Sequence, residues 1–392
     1  MSSAYRLPAG FMSAGIHAGF KKNGKPDAGL IYSDKPCVTA GFFTSNRLKS
    51  WHIIHAKKRI NAPVRAVFAN SGNANVFNGR GGKAALQTII GIIARGLSIS
   101  PENILAASTG KISLDMPVKK IAPLISKLPG LLSANDRMFP RAIMTTDLTQ
   151  KVFTERVKIN GKNITVTGVA KGSGMLAPNM ATMLAFIMTD AVVEKRALYG
   201  AAKEAVAETF NRVTVDGDMS PNDTVYVLAN GRAGNKKIRK GGAGYGALKA
   251  VFLKGFYGLA EEMASDGEGA TKLIKIIIRG AKSRARAEKA ARAVANSPLV
   301  KTNFFGEAVN IGRIVSAVGM AGVQADLKKT LFLINGVAAT NGERVINHGR
   351  LALQMKKKRI ELVIDMKQGR HGCFLLTCDY SYDYIRINAD YS

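Results

Sequence analysis

The stretch "KGSGMLAPNMATMLAFI" (171–187) constrains the fold more than any other part of the chain. It opens on glycines in a polar setting and closes as a nearly unbroken apolar run, the pattern of a strand entering a buried core. Small residues in the loop allow close backbone approach, and Thr182 sets a hydroxyl at the seam between loop and run.

Strand-like and helical patterns alternate through the rest of the chain. "AGLIYSD" and "VTAGFFTS" (28–45) read as two strands joined by an Asp34-Lys35-Pro36 turn. "VRAVFANSGNAN" (64–75) is a strand running into a Gly/Asn-rich loop, and "GGKAALQTIIGIIARGL" (81–97) has helical apolar spacing. "ILAASTGKI" (104–112) reads as a strand breaking at Ser108-Thr109-Gly110, and "RAIMTTDLTQK" (141–151) as a strand ending in a Thr-Thr-Asp turn. Helices are predicted over 193–213 and 245–266, then a strand in "LIKIIIRGA" (273–281) and an amphipathic basic helix in "SRARAEKAARAVANS" (283–297). The alternation predicts an α+β or α/β chain with mixed sheets and a boundary near residue 280.

With 392 residues, 46% of them hydrophobic and 21% charged, the chain suits a globular protein with room for two domains. Its apolar runs fall far short of the roughly 18 residues that span a bilayer, and the N-terminal stretch lacks a signal-peptide pattern, so the cytoplasm is the expected compartment. Three cysteines are too few for a disulfide framework. Cys373 and Cys378 lie near His371 but have no second ligand pair at zinc-like spacing, so no metal is expected.

The formal charge is +30, from 57 Lys+Arg against 27 Asp+Glu. Nucleic acid or an acidic membrane could answer such a balance, as could anionic small substrates. The basic residues are scattered in short pieces ("KKR" at 57–59, "KKKR" at 356–359) without interleaved aromatics, which disfavours nucleic acid. "GGAGYG" (241–246) lacks the Lys-Ser/Thr ending of a phosphate loop, and the five histidines are dispersed without a triad-like pair.

Thr182 has a chemistry of its own. A free α-amine, with a pKa of roughly 8, can act as base for the hydroxyl of the same residue. An internal threonine gains that amine only if the preceding peptide bond is cut, and the Thr182 hydroxyl can do this by attacking the Ala181 carbonyl to give an ester that water hydrolyses. Pro178 restricts the approach to the seam, and β-branching fixes the direction of the threonine oxygen. A threonine in an apolar run is usually a strand residue bonded to backbone, so the residues alone leave the nucleophile as the lesser of two open readings.

"KGSGMLAPNMATMLAFIMTDA" closely resembles the self-processing segment of the ornithine acetyltransferase, or glutamate N-acetyltransferase, family. "GIHAGFKKNGKPDAGLIYSD", "NSGNAN", "STGKI", "AIMTTD", "FNRVTVDGDMSPNDTV", "DGEGATK", "VANSPLVKT" and "YDYIRINADYS" also resemble family signatures, in the family's order, from about residue 10 onward. The resemblance implies cleavage between Ala181 and Thr182 into an α part (1–181) and a β part that stay interlocked. Residues 1–181 and 182–280 would form one catalytic domain, and 281–392 a C-terminal β-chain domain. The fold implied is α+β, a layered α/β/β/α core like that of self-processing aminopeptidases with a smaller α+β domain.

The activity implied is transfer of acetyl from N-acetylornithine to glutamate through an acetyl-Thr182 intermediate, in arginine biosynthesis. Thr109 and Gly110 match the family's oxyanion-hole pair, and Thr146, Lys171, Thr182, Glu268, Asn388 and Ser392 match substrate-contacting positions. No cofactor or metal is implied, acetyl-CoA stands open as a second acetyl donor, and the αβ units would pair as α2β2. Where the family commonly has "FGEDANWGRI" this chain has "FGEAVNIGRI", and "DGDTSTNDT" becomes "DGDMSPNDT". The chain also ends at Ser392, one residue short of the family pattern, which weakens the carry-over there. Two rival readings are an amidase or aminopeptidase on the same scaffold, with water as acyl acceptor, and a non-catalytic basic binder of nucleic acid.

Overall fold

The structure is a computed structural model that describes residues 5–176, 183–326 and 328–390. The Ala181-Thr182 seam and Ser392 therefore lie outside the described residues. The chain divides into two compact units. The first is Met1–Gly172, Asn179–Asn211 and Met219–Leu259; the second is Ser173–Pro178, Arg212–Asp218 and Ala260–Ser392.

The strands of the first unit are β1 (Phe11–Ile16), β2 (Ala28–Phe43), β3 (Val64–Asn73), β4 (Ile104–Lys111), β5 (Lys151–Ile159), β6 (Lys162–Lys171), β7 (Leu184–Thr189) and β8 (Thr224–Ala229). Its helices are α1 (Trp51–Arg59), α2 (Gly79–Leu97), α3 (Val118–Ile125), α4 (Phe139–Ala142) and α5 (Lys195–Glu208), with α6 (Tyr245–Ser265) running past the unit's end. The strands run in the order β4-β3-β2-β8-β7-β6-β5, and β1 pairs with β2.

Residues 28–43 form one strand with a register shift between Tyr32 and Cys37, not two strands joined by a turn. The first half of β2 pairs with β1 and β3, and the second half, Val38–Phe43, pairs with β8. One bent strand thus joins two half-sheets. Their facing side chains make one apolar cluster, with Ile31, Val67, Ala69, Leu105 and Ala107 from one and Val169, Leu184, Phe186, Tyr226 and Leu228 from the other. The alternate residues of the first half-sheet, Leu30, Ala66, Phe68, Ile104 and Ala106, pack against α2 and α3. On the other side Tyr199 of α5 stacks on Phe42 at 5.2 Å, and Gly255 of α6 sits so close to Phe153 that a Cβ there would lie 2.3 Å from the ring. Helix, sheet, sheet and helix follow in that order, the layering expected from the sequence.

The buried Tyr226 hydroxyl donates to the Ala106 carbonyl at 2.8 Å and so ties one half-sheet to the other. Its ring also meets Phe186 at 6.2 Å and Phe43 at 6.1 Å.

The stretch 141–151 is not a strand. Phe139–Ala142 makes a helical turn, loop follows, and β5 starts only at Lys151. The apolar pair Ile143-Met144 belongs to the end of that turn, where Ile143 fills the core between the half-sheets.

In the second unit a mixed sheet is built from β9 (Leu273–Ala281), β10 (Leu331–Ile334), β11 (Val337–Ala338), β14 (Arg359–Asp365) and β15 (His371–Cys378), in the order β11-β10-β14-β9-β15. A small hairpin, β12 (Thr340–Asn341) and β13 (Arg344–Val345), stands apart. Helices α7 (Arg284–Ala295), α8 (Pro298–Phe305), α9 (Ile311–Met320) and α10 (His348–Met355) share one apolar cluster with the sheet, and α11 (Tyr382–Asp390) closes the described chain. The basic helix predicted at 283–297 buries Ala287, Ala290, Ala291, Val294 and Ala295; of its cations Arg284 and Lys289 are exposed, whereas Arg286 and Arg292 are half-buried. Among the described residues no helix is long and apolar enough to cross a membrane, and no cluster of His, Cys, Asp and Glu could hold a metal ion.

Tyr226→Phe should lower stability by about 1 kcal/mol, the net worth of one hydrogen bond. A thermal melt matching the wild type within error would mean that the contact between the half-sheets contributes nothing.

Candidate active site

β3 and β4 run parallel, and their C-terminal ends bring "NSGN" and "STGK" side by side. Gly72 pairs with Gly110, and the register then slips so that Asn73 faces both Thr109 and Lys111. The two glycines touch through their backbones. Gly110 has φ +126°, and a Cβ on it would lie 2.5 Å from the carbonyl carbon of Gly72 and 2.7 Å from the Asn73 nitrogen. Only glycine fits there. β4 thus runs on through Ser108-Thr109-Gly110 to Lys111 instead of breaking there, and Thr109 and Gly110 are held at its irregular end, just before the chain turns away, as donors aimed at a developing negative charge would need to be.

That turn is braced from below by residues the sequence reading left unassigned. Asn222 donates to the Ala74 carbonyl at 2.6 Å and to the Ser108 carbonyl at 2.7 Å. His52 is wholly buried on α1. Its Nδ1 accepts from the Ser108 amide at 3.2 Å and faces the Ser50 hydroxyl at 2.8 Å, which leaves Nε2–H to donate to Thr224 Oγ1 at 3.0 Å. Burial pulls its pKa down to about 3 from an ordinary 6.5, so the ring is neutral. The expectation that the histidines are structural fits this one, which holds the residue before Thr109.

Lys171, at the end of β6, is buried, and its Nζ lies 3.4 Å from Thr109 Oγ1 and 4.0 Å from Asp147 Oδ2. Two expected residues 62 positions apart thus meet. Asp147, the last residue of "MTTD", is the hub. It accepts from Lys151 Nζ at 2.7 Å, the Gly172 amide at 2.8 Å and the Thr145 amide at 2.9 Å. Burial alone would raise its pKa, but Lys151 and Lys171 outweigh that and hold the carboxyl below its usual range. Asp147 thereby fixes the loop that carries Thr146, which is half-buried, and the backbone just after Lys171.

β7 begins immediately after Met183, whose amide donates to the buried Asp223 at 3.1 Å. Burial raises the pKa of Asp223 well above the carboxylate range. Its sequence signal is the acid of "SPNDTV", set directly before β8.

In the second unit Glu268 is buried against Gly174, where a Cβ would lie 2.2 Å from the carboxyl carbon. Its amide donates to the Ser173 carbonyl at 3.1 Å, and Asn388 on α11 donates to its Oε2 at 2.9 Å. These two expected residues are therefore partners. Also in this unit, the Met175 and Leu176 amides donate to Asp216, the latter at 2.9 Å, and burial pushes the Asp216 carboxyl up to about 6.

Comparison with known proteins follows the same direction. Residues 12–392 match the sequence model of the ArgJ family. The chain is 42% identical to the arginine biosynthesis bifunctional protein ArgJ of Desulfotalea psychrophila, over 97% of this chain and 98% of that one. It is 41% identical to the protein of the same name from Symbiobacterium thermophilum, over 100% of this chain and 99% of that one. A crystal structure of the Bacillus halodurans ArgJ protein superposes with a TM-score of 0.50 at 32% identity, covering 52% of this chain and 98% of that one.

Gly110→Ala should lower acetyl transfer by about a hundredfold, the worth of one displaced oxyanion donor, read as initial rate on purified enzyme. Retention of the wild-type rate would exclude that donor role. His52 predicts a pH effect of definite sign. Below an unfolded-state pKa near 6.5 the unfolded ring takes a proton that the folded ring refuses until about pH 3. Stability should therefore fall by up to about 1.4 kcal/mol per pH unit across that window as the medium is acidified. Urea titrations at several pH values should show this slope, and His52→Asn should lose it.

Proposed function

The chain belongs to the ArgJ family, and on that premise we propose that it transfers acetyl from N-acetylornithine to glutamate through Thr182 after cutting its own Ala181–Thr182 bond. It is an acyltransferase of arginine biosynthesis acting on small molecules. The observation that carries the reading is the contact of Lys171 with Thr109, which sets a cation beside the oxyanion turn where an amino-acid carboxylate and an acetyl carbonyl would both need partners.

In the processing step the Thr182 oxygen attacks the Ala181 carbonyl carbon. The C–N bond breaks as the nitrogen takes a proton, and water hydrolyses the ester to leave the Ala181 carboxylate and a free Thr182 amine. That amine serves as base for its own hydroxyl in the transfer. The Thr182 oxygen attacks the acetyl carbonyl, the Thr109 hydroxyl and the Gly110 amide meet the oxyanion, and the C–N bond to ornithine breaks as its nitrogen takes a proton. The α-amine of glutamate then attacks the acetyl ester, forming N-acetylglutamate and returning the threonine hydroxyl.

Lys171 is assigned to the substrate α-carboxylate and Glu268 to the side-chain amine, with Thr146, Asn388 and Ser392 as further contacts. The enzyme is proposed to work in the cytoplasm as an α2β2 assembly, without a metal or bound cofactor. Acetyl-CoA is proposed as a second donor, in keeping with relatives that are named bifunctional proteins.

Denaturing intact mass, before and after brief exposure to N-acetylornithine, tests the reading. Two fragments divided at Ala181–Thr182 are expected, with one acetyl added to the Thr182 fragment alone, and Thr182→Ala should give a single uncut, unacetylated chain. An uncut wild-type chain that never gains acetyl would overturn the mechanism.

A further inference from the structure

We propose that Lys21 is a second cation for the α-carboxylate of the amino-acid substrates, acting on the same side of the oxyanion turn as Lys171. The inference rests on the acetyltransferase reading and deepens it.

"GFKKNGKPD" carries lysines at 21, 22 and 25, and the fold treats them differently. Lys22 and Lys25 are exposed, whereas Lys21 is half-buried. Its backbone is pinned by Asp27, a buried carboxylate that accepts from the amides of Ala18 at 2.6 Å, Gly19 at 3.2 Å and Lys21 at 2.8 Å, with His17 Nδ1 at 3.1 Å. So held, the Lys21 stem crosses the oxyanion turn. A Cβ on Gly72 would lie 3.2 Å from Lys21 Cγ and 3.2 Å from the Phe20 carbonyl, and Gly72 is the residue whose backbone touches Gly110.

The ammonium at the end of that stem donates to the Met144 carbonyl at 2.7 Å and the Pro26 carbonyl at 2.8 Å. Met144 lies two residues before Thr146. An ammonium has three donors, and among the described residues both hydrogen-bond acceptors of this one are neutral carbonyls. Four charges act on it from the elements around it. Asp27 and Asp147 draw it toward the charged form, while Lys171 and Lys25 oppose. Burial is the largest influence and, with the neighbouring lysines, brings its pKa down to about 8. Asp147 is already shared among Lys151, two backbone amides and, at 4.0 Å, Lys171. Lys21 therefore brings to the side of the turn an ammonium whose hydrogen-bond acceptors among the described residues are both neutral, and a carboxylate from outside the chain fits it. N-acetylornithine and glutamate both bring one, on the carbon next to the nitrogen that loses or gains acetyl.

A simple staple between the Met144 and Pro26 loops would use the same two carbonyl contacts, so the test must read the substrate's charge. Lys21→Met and Lys21→Arg are compared with wild type on N-acetylornithine and on its α-carboxamide, in which the negative charge is gone. Lys21→Met should raise KM for N-acetylornithine about tenfold or more, the loss expected for a charged hydrogen bond. Its kcat should stay within about twofold, KM for the carboxamide should not move, and Lys21→Arg should restore most of the loss. Equal changes in KM for both substrates, or a fall in kcat alone, would overturn the proposal.

If Lys21→Met does not self-cleave, wild type decides the matter. Between about pH 7 and about pH 9 the ratio of KM for N-acetylornithine to KM for the carboxamide should rise as Lys21 loses its proton near pH 8. The Thr182 amine titrates in the same range but acts on both substrates alike, so it cancels in the ratio. A flat ratio counts against Lys21. Failure of wild type to take acetyl from N-acetylornithine at any pH would instead sink the acetyltransferase reading itself.

Discussion

Because β2 gives its first half to one half-sheet and its second half to the other, the two layers of the catalytic unit cannot be assembled independently. The bend between Tyr32 and Cys37 fixes which faces oppose each other, and the apolar cluster between them fills the space that results. Close packing of that kind leaves little freedom to the strand ends. The turn at Thr109-Gly110 inherits its position from β3 and β4, and Lys171 from β6. The site is thus a set of strand ends whose mutual placement is decided by one kinked strand.

Electrostatics then impose a second requirement. Burying Lys151 and Lys171 away from water would be prohibitive without a counter-charge, and Asp147 supplies it while also accepting two backbone amides. The charge of the site is thus set by these buried groups and not by the +30 of the whole chain. Most of that larger charge is scattered, and on α7 it forms the face opposite the buried alanines. Surface charge and site charge are separate matters here.

Much of this was legible in the sequence, for reasons that differ by element. "LIKIIIRGA" was read with the bounds of β9 because a short apolar run ending in Gly gives few alternatives, and α7 was read from the spacing of its alanines. Thr109, Gly110 and Lys171 came from family likeness, and no periodicity would have found them. The break assigned at Asp34-Lys35-Pro36 was misread because turn residues also serve a strand that changes partners. Ile143-Met144 looked like strand because two apolar residues cannot show a period. Lys21 could not be told from Lys22 at all, since a loop has no repeating face and only the Asp27 hydrogen bonds decide which amine turns inward.

The strand order also bears on the proposed cutting of the chain. Strands β2 to β6 precede the seam, while β7 and β8 follow it, yet β8 lies against β2 and β7 lies against β6. If the bond at the seam is broken, the later piece contributes to the first unit's sheet a two-strand insert hydrogen-bonded on both flanks by the earlier one. Neither piece taken alone holds the whole sheet of the first unit, and each would present raw strand edges of it to its neighbours in solution. In the first unit, severing therefore has to follow folding, whereas the sheet of β9, β10, β11, β14 and β15 lies wholly within the later piece.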